Sequence, residues 1–305
     1  MTVTDAGNQS DTTPLGLFLE EVRNVLPTGL LVNVSSTSIS EGGGAVLSGS
    51  FSDPGLADIH TVRVNWGDGT ESLVALPVGS RTFGGQAGLT HVYPDDPAMG
   101  PDQYTIIVEV VDDDEPNAPA SFTQVVGVSN VIPSNVVLTT SVTGLDENSG
   151  VVTLSGAFFD RGQFDDHRVT VDWGDGSSVT TIDLAAGISS FGDVLHPVSH
   201  RYTDNAAGAA SYTITVSVSD SDSPASNGSA TTSINIQNVA PTLGTVTLST
   251  GGAPIQEGQR VSLSGQYLDV SPDDRHTVTV NWGDGSLPSQ AVVNATTRTF
   301  TATHT

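Results

Sequence analysis

Val64-Asn65-Trp66-Gly67-Asp68-Gly69-Thr70 returns as Val171-Asp172-Trp173-Gly174-Asp175-Gly176-Ser177 and again as Val280-Asn281-Trp282-Gly283-Asp284-Gly285-Ser286, and these copies hold all three tryptophans of the 305-residue chain. Ahead of each Trp, apolar and polar residues alternate (Val62, Val64; Val169, Val171; Val278, Val280). A period of two is the pattern of a half-buried strand, and it sets each Trp on the inward face. The Gly-Asp-Gly that follows is turn chemistry: glycine tolerates positive φ, and the Asp carboxylate accepts bonds from nearby backbone N–H groups. The sequence predicts an inward Trp at the end of a strand, then a tight corner.

Trp66, Trp173 and Trp282 are spaced by 107 and 109 residues, and self-similarity at a nearly fixed period marks a tandem array. A strand ending in an aromatic followed by Gly-Asp-Gly is similar to the hallmark of PKD (polycystic kidney disease) domains, immunoglobulin-like modules common in bacterial and archaeal surface proteins. Leu47-Ser48-Gly49 with Phe51 and Asp53, Tyr104-Thr105-Ile106, and the junction Asn130-Val131-Ile132-Pro133 strengthen the resemblance. It implies an all-β chain of tandem immunoglobulin-like (PKD-type) antiparallel β-sandwiches. Modules of this kind serve as spacers, adhesins and carbohydrate-associated accessories, so the fold alone does not choose among them.

The composition narrows the choice. There is no cysteine, so no disulfide staples the modules, and all nine basic residues are arginine, so no lysine is present to form an isopeptide cross-link. With 34 acidic residues the formal charge is −25. Such a chain is a poor partner for nucleic acid, whose phosphates require Lys and Arg, and the charge reads either as a draw for cations or as an acidic surface that keeps an exported or salt-exposed protein in solution. No apolar run approaches the roughly 20 residues of a membrane-spanning helix, and no signal peptide opens the chain.

Aligning Asn24-Val25-Leu26-Pro27 with Asn130-Val131-Ile132-Pro133 and Asn238-Val239-Ala240-Pro241 divides the chain. Residues 1–26 read as the last strands of one repeat, 27–132 and 133–240 as whole repeats, and 241–305 as a partial one. Leu15, Leu17, Phe18, Leu19, Val22 and Leu26 tempt a helical reading, but the repeat makes Gly16 to Arg23 a strand. Asp5 falls on Asp112 and Asp220. Within the first whole repeat, strands are expected near 30–38, 45–51, 60–66, 71–77, 81–92, 104–111 and 121–129. Those of the second include 151–158, 167–173, 212–219 and 231–237, a seven-strand sandwich in each case. Tyr104 and Tyr212 resemble the tyrosine-corner position. The partial ends suggest either a window on a longer array or ends that complement one another between molecules by strand donation.

Carboxylates recur with the period: Glu41, Glu147 and Glu257; Asp53, Asp160 and Asp269; Asp58, Asp165 and Asp274; Asp112 and Asp114 with Asp220 and Asp222. In a seven-strand sandwich alternate loops lie at opposite poles. The loops holding Asp160, Asp165, Asp220 and Asp222 lie at the leading pole, where the chain comes in. Glu41, Asp68, Asp95 and Asp96 lie at the trailing pole, so one module's trailing pole faces the next one's leading pole. Converging carboxylates repel unless a hard cation sits among them, and Ca2+, with six to eight oxygen ligands, suits such a set. The PKD resemblance implies calcium near the second-to-third strand loop and the junction Asn: Asn24, Asp53 and Asp58; Asn130, Asp160 and Asp165; Asn238, Asp269 and Asp274. Solvated turn carboxylates that cap backbone N–H groups are the plain alternative.

Histidine recurs as well: His60, His167 and His276 open the third strand, and His91, His200 and His304 precede a tyrosine position or its equivalent. These positions fall at opposite poles with no recurrent nucleophile, so hydrogen-bonded structural roles are expected and no catalytic residue is assigned. The sequons at Asn8, Asn33, Asn227 and Asn294 carry little weight in a chain so rich in Ser and Thr. The sequence reading is thus a non-enzymatic, exported structural or adhesive array at a cell surface or in an extracellular filament. Its expected partners are further repeats or neighbouring surface proteins. A carbohydrate- or protein-binding adhesin is the alternative, and a strand-complemented head-to-tail fibre subunit the next.

Overall fold

In the computed structural model every regular element among the described residues is a strand. The structure describes residues 2–4, 6–7, 10–12, 23–97, 102–206, 211–222 and 227–305. The chain divides into two compact units, Met1–Ser129 and Asn130–Thr305.

In the first unit, one sheet orders Ser38–Ser40, Ala120–Ser129, Gln103–Asp112, His60–Asn65 and Glu71–Ala75. The other orders Thr28–Val34, Gly44–Ser52 and Thr82–Gly84, with Thr90–Val92 also paired to Gly44–Ser52. The alternation read from the sequence sends Val62, Val64, Ile106, Val108 and Val110 inward, where all are fully buried with Trp66, Leu47 and Tyr93. Large side chains buried to this degree contribute about 1.5–3 kcal/mol each. The second unit repeats the plan: Gly144–Asp146, Gly228–Gln237, Tyr212–Asp220, His167–Asp172 and Thr180–Leu184 face Ser134–Thr140, Val152–Phe159 and Ser190–Phe191 across a core centred on Trp173. It also carries a sheet of Thr242–Leu248, Val261–Leu268, Thr299–His304 and Val292–Asn294, and a small pair, Thr279–Val280 with Ser289–Gln290.

The Leu-Ser-Gly blocks have a packing reason. A Cβ on Gly49, Gly156 or Gly265 would sit 2.4 Å from the Cζ of Phe83, Phe191 or Phe300, so only glycine lets that ring lie flat on the strand. At the corner, Gly67 and Gly174 have φ of 88° and 79°. A Cβ there would lie 2.7 Å from the Thr105 carbonyl oxygen and 2.3 Å from that of Thr213. Any other residue would be strained and would clash.

Two expected strands are broken. The stretch 30–38 splits because Ser35 and Ser36 bond locally, Ser35 Oγ accepting Val46 N–H at 2.9 Å and Ser36 Oγ donating to the Ser38 carbonyl at 2.8 Å. Ser38–Ser40 then crosses to the opposite sheet and pairs in parallel with Ala120–Ser129. The stretch 81–92 splits at Gly84 and Gly85, whose φ values of 152° and 75° turn the chain so that Leu89 enters the core. The strand expected over 16–23 lies outside the described residues apart from Arg23, as does the Asn8 sequon. Each repeat's first strand is an edge with a register shift, at Thr28/Leu31, Ser134/Val137 and Leu243/Val246. A bulge there twists the edge away from unwanted pairing.

Candidate metal-binding clusters and histidine clasps

The Gly-Asp-Gly corner is closed by a histidine. Asp68 Oδ1 accepts Thr70 N–H and Oγ–H at 3.0 and 2.6 Å, while its Oδ2 lies 2.6 Å from His91 Nε2. His91 stacks on Trp66 at 4.8 Å, and Tyr93 donates its hydroxyl to the Trp66 carbonyl at 3.0 Å. The second repeat reproduces this: Asp175 to His200 2.7 Å, His200 to Trp173 4.9 Å, and Tyr202 to the Trp173 carbonyl 3.0 Å. In the third, Asp284 lies 2.7 Å from His304, which stacks on Trp282 at 4.9 Å. Tyr104 and Tyr212 donate to the carbonyls of Asp95 and Asp204 at 3.3 and 3.2 Å, as a tyrosine corner does.

These clasps have an acid signature. Burial alone would push the Asp68 and Asp175 carboxyls up, but the bonds from Thr70 or Ser177 and from His91 or His200 outweigh it and hold both below the ordinary carboxylate value. A value depressed by folding contributes stability above the unfolded pKa, about 3.9, and that stability is lost as pH falls through the depressed value. Melting temperatures taken from pH about 6 down to about 2 are expected to drop steeply below about pH 4. Asp175→Asn should start lower and drop less; parallel curves would remove the clasp from the account.

At the leading pole the other histidines pair in the same fashion: His60 to Asp53 at 3.2 Å, His167 to Asp160 at 2.9 Å and His276 to Asp269 at 2.7 Å. The repeats then diverge. The backbone bonds from Phe51 to Arg81, Phe158 to Ser189 and Tyr267 to Arg298 place those three residues at one equivalent position. Arg81 donates from Nε to the Asp53 carbonyl at 3.0 Å and from Nη2 to the Gly55 carbonyl. Arg298 donates to the carbonyls of Asp269 and Ser271. Ser189 supplies no such cation, and His167 Nδ1 is buried without a hydrogen-bond partner.

The carboxylates gather in clusters. In the first unit, atoms of Asp53, His60 and Asp112 lie within 4.8 Å of one another. Asp112 is fully buried, with Oδ2 lacking a hydrogen-bond partner. Asn24, Asp58 and Asp114 line an adjoining cavity of about 320 Å³ with Arg23. Desolvation, then the charges of Asp112, Asp53 and Asp114, raise the Asp58 carboxyl. Glu41, Asp95 and Asp96, all buried, bring oxygens within 4.8 Å of one another at the trailing pole. In the second unit Asp160, Asp165 and Asp220 do the same. Asn130 donates its amide to Asp220 at 3.0 Å, while its own amide oxygen is buried without a partner.

One cluster joins two repeats within the second unit. Glu147, Asp204 and Asp274 bring oxygens within 4.8 Å of one another, beside Asn148 donating to the Val270 carbonyl at 2.7 Å and Thr203 meeting Asp273 at 3.1 Å. The fully buried Glu147 accepts N–H bonds from Val239 at 2.7 Å and Asn205 at 3.2 Å. Burial first, and then like charge from Asp274 and Asp204, raise its carboxyl; burial and then Asp204 and Asp269 raise that of Asp274. Asp269, Asp274 and His276 form a further group.

Not every expected ligand joins a cluster. Asn238 and Glu257 are exposed, and Asp222 is in none of the described groups. Asp204, which the sequence reading did not name, joins a cluster; it stands where Asp95 stands in the repeat before, two residues past a tyrosine, and that spacing was the available signal.

Strand pairing, cores and corners define the class: a tandem array of immunoglobulin-like antiparallel β-sandwiches. No protein-family profile and no curated protein matches the chain. Among solved structures, 99% of the chain aligns with 71% of the tetra-tandem repeat in the extending region of a large adhesion protein, at 17% identity and a TM-score of 0.47. A marsupial T cell receptor aligns over 90% of this chain and 91% of its own at 11% identity, with a TM-score of 0.29. No helix among the described residues is long and apolar enough to cross a membrane.

Proposed function

We propose that the chain is a non-enzymatic stretch of PKD-type modules in an exported structural or adhesive stalk, with Ca2+ bound among its carboxylate clusters and stiffening the joints. The observation that carries this reading is the Glu147, Asp204 and Asp274 cluster, in which two repeats contribute like charges within 4.8 Å. Uncompensated, such a set would push the repeats apart; a hard cation with oxygen ligands turns the same repulsion into a tie. The donor set fits, being carboxylates with the Asn148 and Thr203 linkages fixing the loops around them. The tryptophans and tyrosines at the corners support a stalk over a glycan-binding face, because Trp66, Trp173, Tyr93 and Tyr202 are buried, while the exposed aromatic rings among the described residues are the phenylalanines Phe159 and Phe164.

The testing experiment is small-angle X-ray scattering in excess calcium and in chelator. A stiff array keeps a larger maximum dimension and a narrower distance distribution with calcium. Identical curves in the two conditions would remove calcium from the joints.

A further inference from the structure

Three copies of one loop at the leading pole differ in the cation behind the histidine. In each repeat an Asp closes a turn on the residue two further on: Asp53 Oδ1 accepts Gly55 N–H at 2.7 Å, Asp160 Oδ1 accepts Gly162 N–H at 3.3 Å and Asp269 Oδ1 accepts Ser271 N–H at 3.0 Å. The other carboxylate oxygen meets Nε2 of the histidine seven residues on. An aromatic ring packs on each imidazole, Phe51 on His60, Phe158 on His167 and Tyr267 on His276, with centroids 4.8, 4.7 and 4.5 Å apart. The shared turn sets the carbonyls of Asp160 and Gly162 where those of Asp53 and Gly55 stand in the first repeat.

In the first repeat the Arg81 guanidinium fills the space between these groups. It donates to the carbonyls of Asp53 and Gly55, and its Nη1 lies 3.4 Å from His60 Nδ1. A guanidinium carries donors only, so Nδ1 accepts and the ring proton sits on Nε2, facing Asp53. Arg298 holds the corresponding carbonyls, those of Asp269 and Ser271, in the third repeat. The second repeat keeps the acceptors and replaces the arginine with the exposed Ser189. Nε2 of His167 faces the Asp160 carboxylate at 2.9 Å and keeps its proton, which leaves Nδ1 of the neutral ring a bare lone pair. His167 is 5% exposed, and that Nδ1 is buried without a hydrogen-bond partner among the described residues. A buried acceptor left unpaired is costly, and such an atom in an otherwise satisfied loop points to a missing ligand.

We propose that the second repeat binds a divalent transition metal ion at His167 Nδ1, in the place that the arginine guanidinium takes in the first and third repeats, with the carbonyl oxygens of Asp160 and Gly162 as further ligands. Imidazole nitrogen suits Zn2+, Ni2+ and Co2+, whereas Ca2+ takes oxygen. Asp160 then acts as the carboxylate that orients a ligating histidine through its other ring N–H. The burial of Nδ1 leaves no path for an arginine side chain from another protein, while a single ion fits where one guanidinium nitrogen stands. The site uses the edge of the imidazole turned away from the Asp160 carboxylate, and it does not depend on the calcium reading.

The test is Zn2+ titrated into the chain in excess calcium, followed by calorimetry and by the long-range 1H–15N spectrum of the imidazoles. Zn2+ is expected to move the His167 Nδ1 resonance while Nε2 keeps its proton. Ser189→Arg restores the guanidinium at an exposed position and removes no ligand; it should abolish both the His167 change and the heat that accompanies it. Arg81→Ser is the reciprocal variant and should add a second such site, at His60, raising the stoichiometry by one; if it does not fold, Ser189→Arg still decides. Asp274→Asn, which alters the calcium cluster, should leave Zn2+ binding unchanged, so the two metal readings fail separately. A His167 resonance indifferent to Zn2+, or Zn2+ binding that Ser189→Arg leaves intact because other histidines carry it, overturns the proposal.

Discussion

Trp173→Ala is expected to lower the stability of the second sandwich by about 3–5 kcal/mol, the usual cost of emptying a buried aromatic site. The ring is 1% exposed at the centre of its core, and three other groups are set by it. Thr180 Oγ1 accepts the indole N–H at 2.9 Å, His200 stacks on one face, and the Tyr202 hydroxyl is aimed at the Trp173 carbonyl. The variant therefore opens a cavity and loosens the clasp that closes the corner. Trp173→Phe separates these effects, keeping most of the ring and losing the indole bond, for which about 1 kcal/mol is expected from that bond. Trp282→Ala is the internal comparison: its partly exposed ring should cost far less in the isolated chain. Guanidinium unfolding followed by far-UV circular dichroism reads all three. Equal losses at Trp173 and Trp282 would mean that burial of the ring does not set its contribution.

The fold was legible because a period of two and a period near 108 reinforce each other over Val62, Val64 and Trp66 and their copies. Where local side-chain bonds decide, the pattern was silent: Ser35 and Ser36 end a strand whose apolar alternation reads straight through, and Gly84 with Gly85 folds Leu89 inward from what looks like one long strand. The clusters were partly legible. Recurrence placed Asp53, Asp160 and Asp269 at one pole and Glu41 and Glu147 at the other, because loop order in a sandwich is fixed by topology. It could not separate Glu147, fully buried and bonded to Val239 and Asn205, from Glu257, which is exposed. That difference depends on the loops around each carboxylate, which come from distant parts of the chain. The arginine that braces the leading pole in the first and third repeats and is serine in the second was equally hidden, since Arg81, Ser189 and Arg298 align only once the backbone bonds from Phe51, Phe158 and Tyr267 are known.

Excess calcium is expected to raise the melting temperature of the second unit well above its value in chelator. An ion bound only by the folded state adds about 2.7 kcal/mol at 100 times its dissociation constant and about 4.1 kcal/mol at 1,000 times. For modules of this size each kilocalorie is worth about 4–8 °C, so the two midpoints should stand on the order of 10 °C or more apart. Asp274→Asn tells a ligand from a structural carboxylate by the sign of its effect. Desolvation and the charges of Asp204 and Asp269 raise the Asp274 carboxyl, so its ionised form is a strain on the chelated protein. Removing the charge should leave the chelated midpoint unchanged or higher while cutting the calcium increment. Glu147→Gln must behave differently, because both its oxygens accept backbone N–H bonds, from Val239 and Asn205. That variant should lose stability with or without calcium, and most of its loss should persist in chelator. A calcium increment that survives Asp274→Asn intact would place the ion elsewhere, and coincident melts for the unaltered chain would leave the clustered carboxylates as turn caps alone.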